Sequence, residues 1–324
     1  LLLNVENVAV SSNGVGKHQE LLHDVSLSAS EGEVIAIVGE SGSGKTTLLK
    51  ALTHLFPYQT DIFVKGRVCF NGTNILALDD AALKGVRRSS IRYVFQEPGS
   101  VLNPALRIQA QIHLFDSVDP GKDHETERDS AGRGSRASYF AEMGIEDLTH
   151  VLRSFPHELS VGMLQRISIA IAISARPKLL LCDEPTSAVD LIARHQILDL
   201  LCTFCRSHRM ALIMTTHDLG IARTYADRII VLYAGRIVEQ ATNAKFFENP
   251  LHPYSKVLLG SMSTSDCLLE DNHVPQEIPL WTTEEIHGCK FHMRCAIATR
   301  ECASEEPTIM EIENGRRVRC PYWK

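Results

Sequence analysis

The chain has 324 residues, 44% hydrophobic and 22% charged, a composition that supports a packed core and, by length, about two domains. Thirty-three basic residues face 39 acidic ones for a net charge of −6, which gives no electrostatic footprint for nucleic acid. No apolar run approaches the roughly 18 residues that span a bilayer; the start, "LLLNVENVAV", lacks a signal peptide's basic region and cleavage site, lacks Met, and is expected to be trimmed.

In chain order, residues 1–96 read as strands, a glycine loop, a helix and more strands. The apolar, β-branched "EVIAIV" predicts a buried parallel strand. It runs into "VGESGSGKTTLLKAL", which fits G-x-x-x-x-G-K-[ST] with Gly39, Gly44, Lys45 and Thr46 in the fixed places. A strand, a glycine loop and a helix N-terminus in succession aim unpaired backbone N–H groups at one point, where the helix dipole favours an anion. Lys45 is expected to reach β- and γ-phosphates and Thr46 to ligate Mg²⁺, with Ser41, Gly42 and Thr47 in the same cradle. Next, "GRVCFNGTNI" carries an Asn71-Gly72 hairpin signal, and "IRYVFQ" predicts a strand ending at Gln96.

From about residue 97 to 159 the texture is helical: "ALRIQAQIHLF" and "SRASYFAEMGI" flank a polar stretch, "DSVDPGKDHETERDSAGRGS", that reads as a surface loop. Strands return with "KLLLCDEP", "ALIMTTHD" and "RIIVLYAGRIVEQ", and the alternation predicts a parallel sheet with helices around it. The strand "LLLCDEP" ends in Asp183 and Glu184. Asp183 stands where a strand tip holds Mg²⁺, and Glu184 where a general base polarises water. "TTHD" sets His217 at another strand end, within reach of a γ-phosphate. Cys202 and Cys205, in the amphipathic "ILDLLCTFC", read as core packing. Beyond residue 240 the chain turns irregular and Pro-containing, with four of its nine cysteines between Cys289 and Cys320.

"ELSVGMLQR", residues Glu158 to Arg166, resembles the signature motif of ATP-binding cassette proteins. The order of phosphate loop, "FQEP", "LSVGMLQR", "LLLCDEPTSAVD" and "TTHD" extends that resemblance along the chain. "SVLNP", "GMLQR" and the tail "ENPLHPYSKVLL" look like the ATPases of oligopeptide, dipeptide and nickel importers. The resemblance implies an α/β fold: a RecA-like nucleotide-binding domain with a β-subdomain over 1–96 and 160–240, a helical subdomain over 97–159, and a cysteine-bearing extension over 241–324. It implies an ATPase working as a head-to-tail dimer with a second, different cassette. Ser160 and Gly162 would contact the partner's nucleotide, Asp190 would cross the interface, and Gln96, joining Thr46 and Asp183 around Mg²⁺, would link the γ-phosphate to the helical subdomain. Two transmembrane permease subunits and, indirectly, an extracytoplasmic solute-binding protein complete the assembly, at the cytoplasmic face of the inner membrane. Peptide is the expected solute and nickel or a metallophore the alternative. A soluble cassette ATPase acting on nucleic acid or ribosomes is a distant one, and an inactive scaffold cassette is disfavoured by Glu184 and His217 but kept open by Val161.

Two departures stand out. The signature carries Val161 where the family usually has glycine, which predicts lost room and φ freedom. The aromatic residue that usually stacks on adenine is replaced by Ser11 and Ser12, with His18 as a candidate substitute.

Cys289, Cys295, Cys302 and Cys320 are spaced C-x5-C-x6-C-x17-C. Four thiolates suit tetrahedral Zn²⁺ or an iron–sulfur cluster, and free thiols or a disulfide remain open; the tight C-x2-C knuckles common in structural zinc sites are absent. The segment resembles the end of peptide-importer ATPases, some of which carry a [4Fe-4S] cluster, and that resemblance favours the cluster. The segment's apolar content looks too small to order it unaided, and its distance in sequence from the phosphate loop predicts no part in nucleotide chemistry.

Overall fold

The computed structural model describes residues 1–14, 17–56, 61–116, 136–187, 189–263, 286–313 and 315–324. In chain order its elements are β1 (Leu3–Gly14), β2 (Lys17–Ala29), β3 (Val34–Val38), α1 (Lys45–Leu52), β4 (Ile62–Phe70), β5 (Thr73–Asn74), α2 (Asp80–Ser89), β6 (Ile91–Val94), α3 (Pro98–Val101), α4 (Ile108–Asp116), α5 (Arg136–Glu142), α6 (Leu148–Arg153), α7 (Val161–Ser174), β7 (Leu179–Cys182), α8 (Leu191–Ser207), β8 (Ala211–Thr216), α9 (Leu219–Tyr225), β9 (Arg228–Tyr233), β10 (Arg236–Thr242), α10 (Asn243–Glu248), α11 (Pro253–Ser263), α12 (Arg300–Ser304), β11 (Met310–Glu313) and β12 (Arg316–Val318). The polar stretch read as a surface loop lies almost wholly outside the described residues.

The chain divides into two compact units, residues 1–79 with 213–324, and residues 80–212. The first holds an antiparallel sheet ordered β2-β1-β4-β5, whose β4–β5 hairpin turns at Asn71-Gly72 as expected. It also holds a mixed sheet ordered β11-β12-β10-β9-β3-β8. All five residues of β3 are buried, as a strand covered on both faces requires, and it pairs in parallel with β9. "RIIVLYAGRIVEQ" is not one strand: β9 and β10 form an antiparallel hairpin closed at Ala234-Gly235.

The tail is more structured than its sequence predicts. β11 and β12 form a hairpin that adds to the sheet through the β12–β10 pairing. Its small core joins Val318 and Cys320 to Leu251, with Ile312 and Trp323 packed on them. Buried arginines add to it: Arg236 bonds Glu306, Arg319 reaches Asp24 at 2.8 Å, and Arg316 lies 3.7 Å from the fully buried Glu239. Glu239 in turn accepts the backbone N–H groups of Leu251 and His252. These partners offset part of the cost of burying the charges.

In the second unit β6 and β7 pair in parallel; α2 and α7 pack against β6, α3, α5 and α8 pack against α7, and α6 joins α4 and α5. Helix α8 buries Leu198, Leu201, Cys202 and Cys205 along one face, a helical spacing that bears out the core reading of those cysteines.

Candidate nucleotide site

The loop between β3 and α1 is shaped by backbone geometry. At Gly44, φ is +104°, which caps α1 without any side-chain acceptor, so the first-turn N–H groups are left for a ligand. At Gly39 a Cβ would lie 2.2 Å from the Leu232 carbonyl oxygen and 2.9 Å from Ser43 Oγ; the loop passes too close to β9 for any side chain. Ser43 is buried and its carbonyl accepts from Gly235 N–H at 2.9 Å, which ties the loop to the β9–β10 turn. Lys45 is buried, and its Nζ donates to the carbonyls of Gly39 (2.8 Å) and Glu40 (3.0 Å). Ser41, Gly42 and Thr46 are exposed and Thr47 is half-buried. His217, also in this unit, is exposed just past the end of β8.

In the second unit Asp183 continues the β6–β7 ladder, its N–H donating to Val94 at 2.9 Å. Its buried carboxylate accepts from Tyr93 Oη at 3.0 Å, and burial, then the Asp183 charge, pushes the Tyr93 phenol well above its usual range. Glu184 follows with φ +41°, a left-handed conformation that costs a non-glycine residue about 1–2 kcal/mol and gathers at functional sites. Gln96 is exposed two residues beyond β6, and its Nε2 donates to Glu184 Oε2 at 3.4 Å. The fold thus brings Gln96, Asp183 and Glu184 to the C-terminal tips of two parallel strands, where α/β sheets bind ligands.

Ser160 caps α7, its Oγ accepting from Met163 N–H at 3.2 Å, and Gly162 sits in the first turn. Val161 is the first residue of α7 and lies outside the positive-φ residues, so the φ freedom expected to matter there is not used. Its side chain is 47% exposed, which leaves room as the remaining question. Asp190 caps α8, its Oδ1 accepting from Ile192 and Ala193, and the next two side chains, Leu191 and Ile192, are 65% and 73% exposed. Ser11 and Ser12 are half-buried in β1, while His18 is exposed on β2 with Nδ1 2.8 Å from Asn13 Oδ1.

In the tail, Cys289, Cys295, Cys302 and Cys320 line one small, partly open cavity, together with His252 and Phe291. All four thiols are free. Burial is the first cause raising the thiol of Cys289 to about 11, and it also raises those of Cys295 and Cys320. Among the described residues no group of three or more His, Cys, Asp or Glu side chains could hold a metal ion. Sequence reasoning missed Glu40, Tyr254 and Arg294. Arg294, beside Cys295, donates from both Nη atoms to the Glu40 carboxylate at 2.9 Å, 254 residues away. The tail expected to lie apart from nucleotide chemistry therefore touches the phosphate loop.

The ABC transporter family pattern matches residues 22–187, and that of the oligopeptide/dipeptide transporter C-terminal region matches residues 238–302. The chain is 35% identical to the oligopeptide transport ATP-binding protein OppD of Lactococcus lactis subsp. cremoris (strain SK11), over 100% of this chain and 94% of the relative. It is 34% identical to the dipeptide transport ATP-binding protein DppD of Escherichia coli (strain K12), over 99% and 96%. A solved dimer of the ATP-binding cassette MJ0796 in a post-hydrolysis state, bound to ADP and Pi, is similar with a TM-score of 0.63 and 28% identity, over 75% of this chain and 99% of that one.

Proposed function

The chain belongs to the ATP-binding cassette transporter ATPases of the oligopeptide/dipeptide type, and from that premise we propose that its ATP hydrolysis drives peptide uptake at the cytoplasmic face of the inner membrane. The observation that carries the peptide reading is the match of the C-terminal region over residues 238–302, which adds to the cassette a segment named for peptide transport; relatives named for oligopeptide and dipeptide transport support it over nickel or a metallophore. No described helix is long and apolar enough to cross a membrane, so two permease subunits would supply the path. A second cassette of different sequence would complete each ATP site head to tail.

In this reading the N–H groups of residues 41, 42 and 44–46, with Lys45, would hold the β- and γ-phosphates, while the N–H groups of Glu40 and Ser43 shape the loop through Tyr254 and the Glu40 carbonyl. Thr46, Gln96 and Asp183 would hold Mg²⁺, which would offset phosphate charge; Glu184 would take the proton of the attacking water, and His217 would bond the γ-phosphate. Ser160 and Gly162 present the start of α7 to the partner's nucleotide, and Asp190 with its exposed apolar neighbours faces the same partner. Glu184→Gln is expected to keep ATP binding and lower phosphate release by the assembled transporter about 10²- to 10⁴-fold, the usual weight of a general base. Release at the wild-type rate would remove Glu184 from that role.

The same reading assigns a [4Fe-4S] cluster to the four-cysteine cavity. Four cysteines line one cavity, the number of thiolates such a cluster takes, and the resemblance to importer ATPases that carry one favours it over a lone Zn²⁺. A cationic core there would favour the thiolates that burial now disfavours, so loading releases protons and strengthens with pH.

A further inference from the structure

Glu40 is the second residue of the phosphate loop, and three of its groups are held at once. Its carbonyl accepts from Lys45 Nζ at 3.0 Å and from Ser43 N–H at 3.2 Å. Its backbone N–H donates to Tyr254 Oη at 2.9 Å. Its carboxylate takes both Nη atoms of Arg294 at 2.9 Å. The last two partners come from beyond residue 250 and are themselves fixed. Tyr254 is fully buried, with ring centroids 4.5 Å from Tyr233 and 5.4 Å from Phe291. The Arg294 side chain is 6% exposed, and its guanidinium stands 5.9 Å from the Tyr233 ring and 5.8 Å from the Phe291 ring. A two-pronged arginine–carboxylate bond fixes orientation as well as distance; here its arginine end is buried and the Glu40 side chain is 34% exposed. The Glu40 carboxylate is the outward end of the same residue whose carbonyl holds Lys45.

We propose that Arg294 is a positioning residue for the nucleotide site: through Glu40 it sets the backbone of residues 39–41 and the resting place of Lys45, so that the C-terminal segment governs how tightly the phosphate loop holds nucleotide. This rests on the phosphate loop binding ATP. Arg294 touches no nucleotide; it acts through the peptide groups that do. Because Arg294 immediately precedes Cys295, whose side chain lines the four-cysteine cavity, a disturbance of that cavity reaches Glu40 through one backbone link.

The test is an equilibrium titration of the purified full-length chain with a fluorescent ADP analogue in Mg²⁺, with KM and kcat for ATP measured in the assembled transporter. Arg294→Ala and Glu40→Gln are each expected to weaken binding about ten-fold and to raise KM more than they lower kcat. The double variant should be no weaker than the worse single one, because both remove one interaction. Arg294→Lys, which keeps the charge and loses the fork, should recover part of the affinity. Arg317→Ala, which breaks the exposed pair with Glu311 in the same segment, should change nothing. Affinity within two-fold of wild type for Arg294→Ala, or additive losses near 100-fold in the double variant, would overturn the proposal. Should Arg294→Ala melt early or fail to fold, Glu40→Gln decides, since it leaves every C-terminal residue in place and unchanged affinity there overturns the proposal too. A wild-type chain that binds no nucleotide would sink the phosphate-loop reading and this one together.

Discussion

The phosphate loop and the four-cysteine segment each gather polar groups at a point, by opposite means. The loop uses the main chain: a buried strand, glycines that admit close passage and positive φ, and an uncapped helix start. The cysteine segment uses side chains, with thiols around a cavity, arginines in ion pairs and the ring of Phe291 against two tyrosines. A backbone-built site depends on a few positions where no Cβ fits and tolerates change elsewhere. A side-chain-built site spreads its dependence, so that each substitution removes one anchor and leaves the others.

That contrast is broken most severely at Gly39. A methyl group there would stand 2.2 Å from a β9 carbonyl oxygen, a contact no rotamer relieves, so the loop or the strand must move. Misplacement by about 1 Å costs on the order of 10²-fold where geometry sets the interaction. Gly39→Ala should therefore weaken nucleotide binding by at least about 100-fold, while leaving unchanged the iron content proposed for the cysteine segment. Titration and metal analysis of the same preparation check both halves; binding within a few-fold of wild type would show that the backbone is not the limiting element.

The converse change is Cys295→Ser. Anaerobically purified wild-type protein is expected to be brown, to absorb broadly near about 400 nm and to hold about four irons per chain, and the serine variant to lose them. Its nucleotide affinity should fall by a few-fold, less than in Arg294→Ala, because Tyr254 still holds the Glu40 N–H and Arg294 itself remains. The chemical step should be untouched and the tail loosened, which limited proteolysis would report. Stoichiometric zinc in place of iron would defeat the cluster while leaving four ligands in one cavity.

The same division governs what could be read from the chain. Gly39, Gly44, Lys45 and Thr46 announce their loop because each answers a local need, and Asp183 and Glu184 follow an apolar strand that fixes their place. The hairpin at Asn71-Gly72 was legible for the same reason. "RIIVLYAGRIVEQ" concealed a turn because Ala234 adopts φ +45°, a conformation its identity does not advertise. The β11–β12 hairpin carried a readable signal, the Asn314-Gly315 pair, masked by an apparently sparse apolar pattern; its core is completed by Leu251, some sixty residues earlier, and its charges by Glu239 and Asp24. Arg294 and Glu40 could not be paired from sequence at all, because nothing within either heptapeptide specifies a partner 254 positions away.

The smallest expected effect is at Val161, where a site built from the main chain carries one non-standard side chain. The valine costs no backbone strain, since it occupies the first position of α7 with Ser160 capping the helix. What remains is bulk: a half-exposed β-branched side chain beside Ser160 and Gly162, on the face assigned to the partner cassette's nucleotide. If two unlike cassettes pair, the ATP site using this signature should be the slower of the two, and Val161→Gly should raise steady-state hydrolysis by a few-fold or leave it unchanged. Glycine loosens a helix by about 0.5–1 kcal/mol, less at a capped first turn, so a small fall in melting temperature should accompany the gain. Phosphate release by the assembled transporter, read beside its melting curve, separates the two effects. A large fall in turnover with an unchanged melting curve would mean that the valine itself contacts the partner and that its bulk is required.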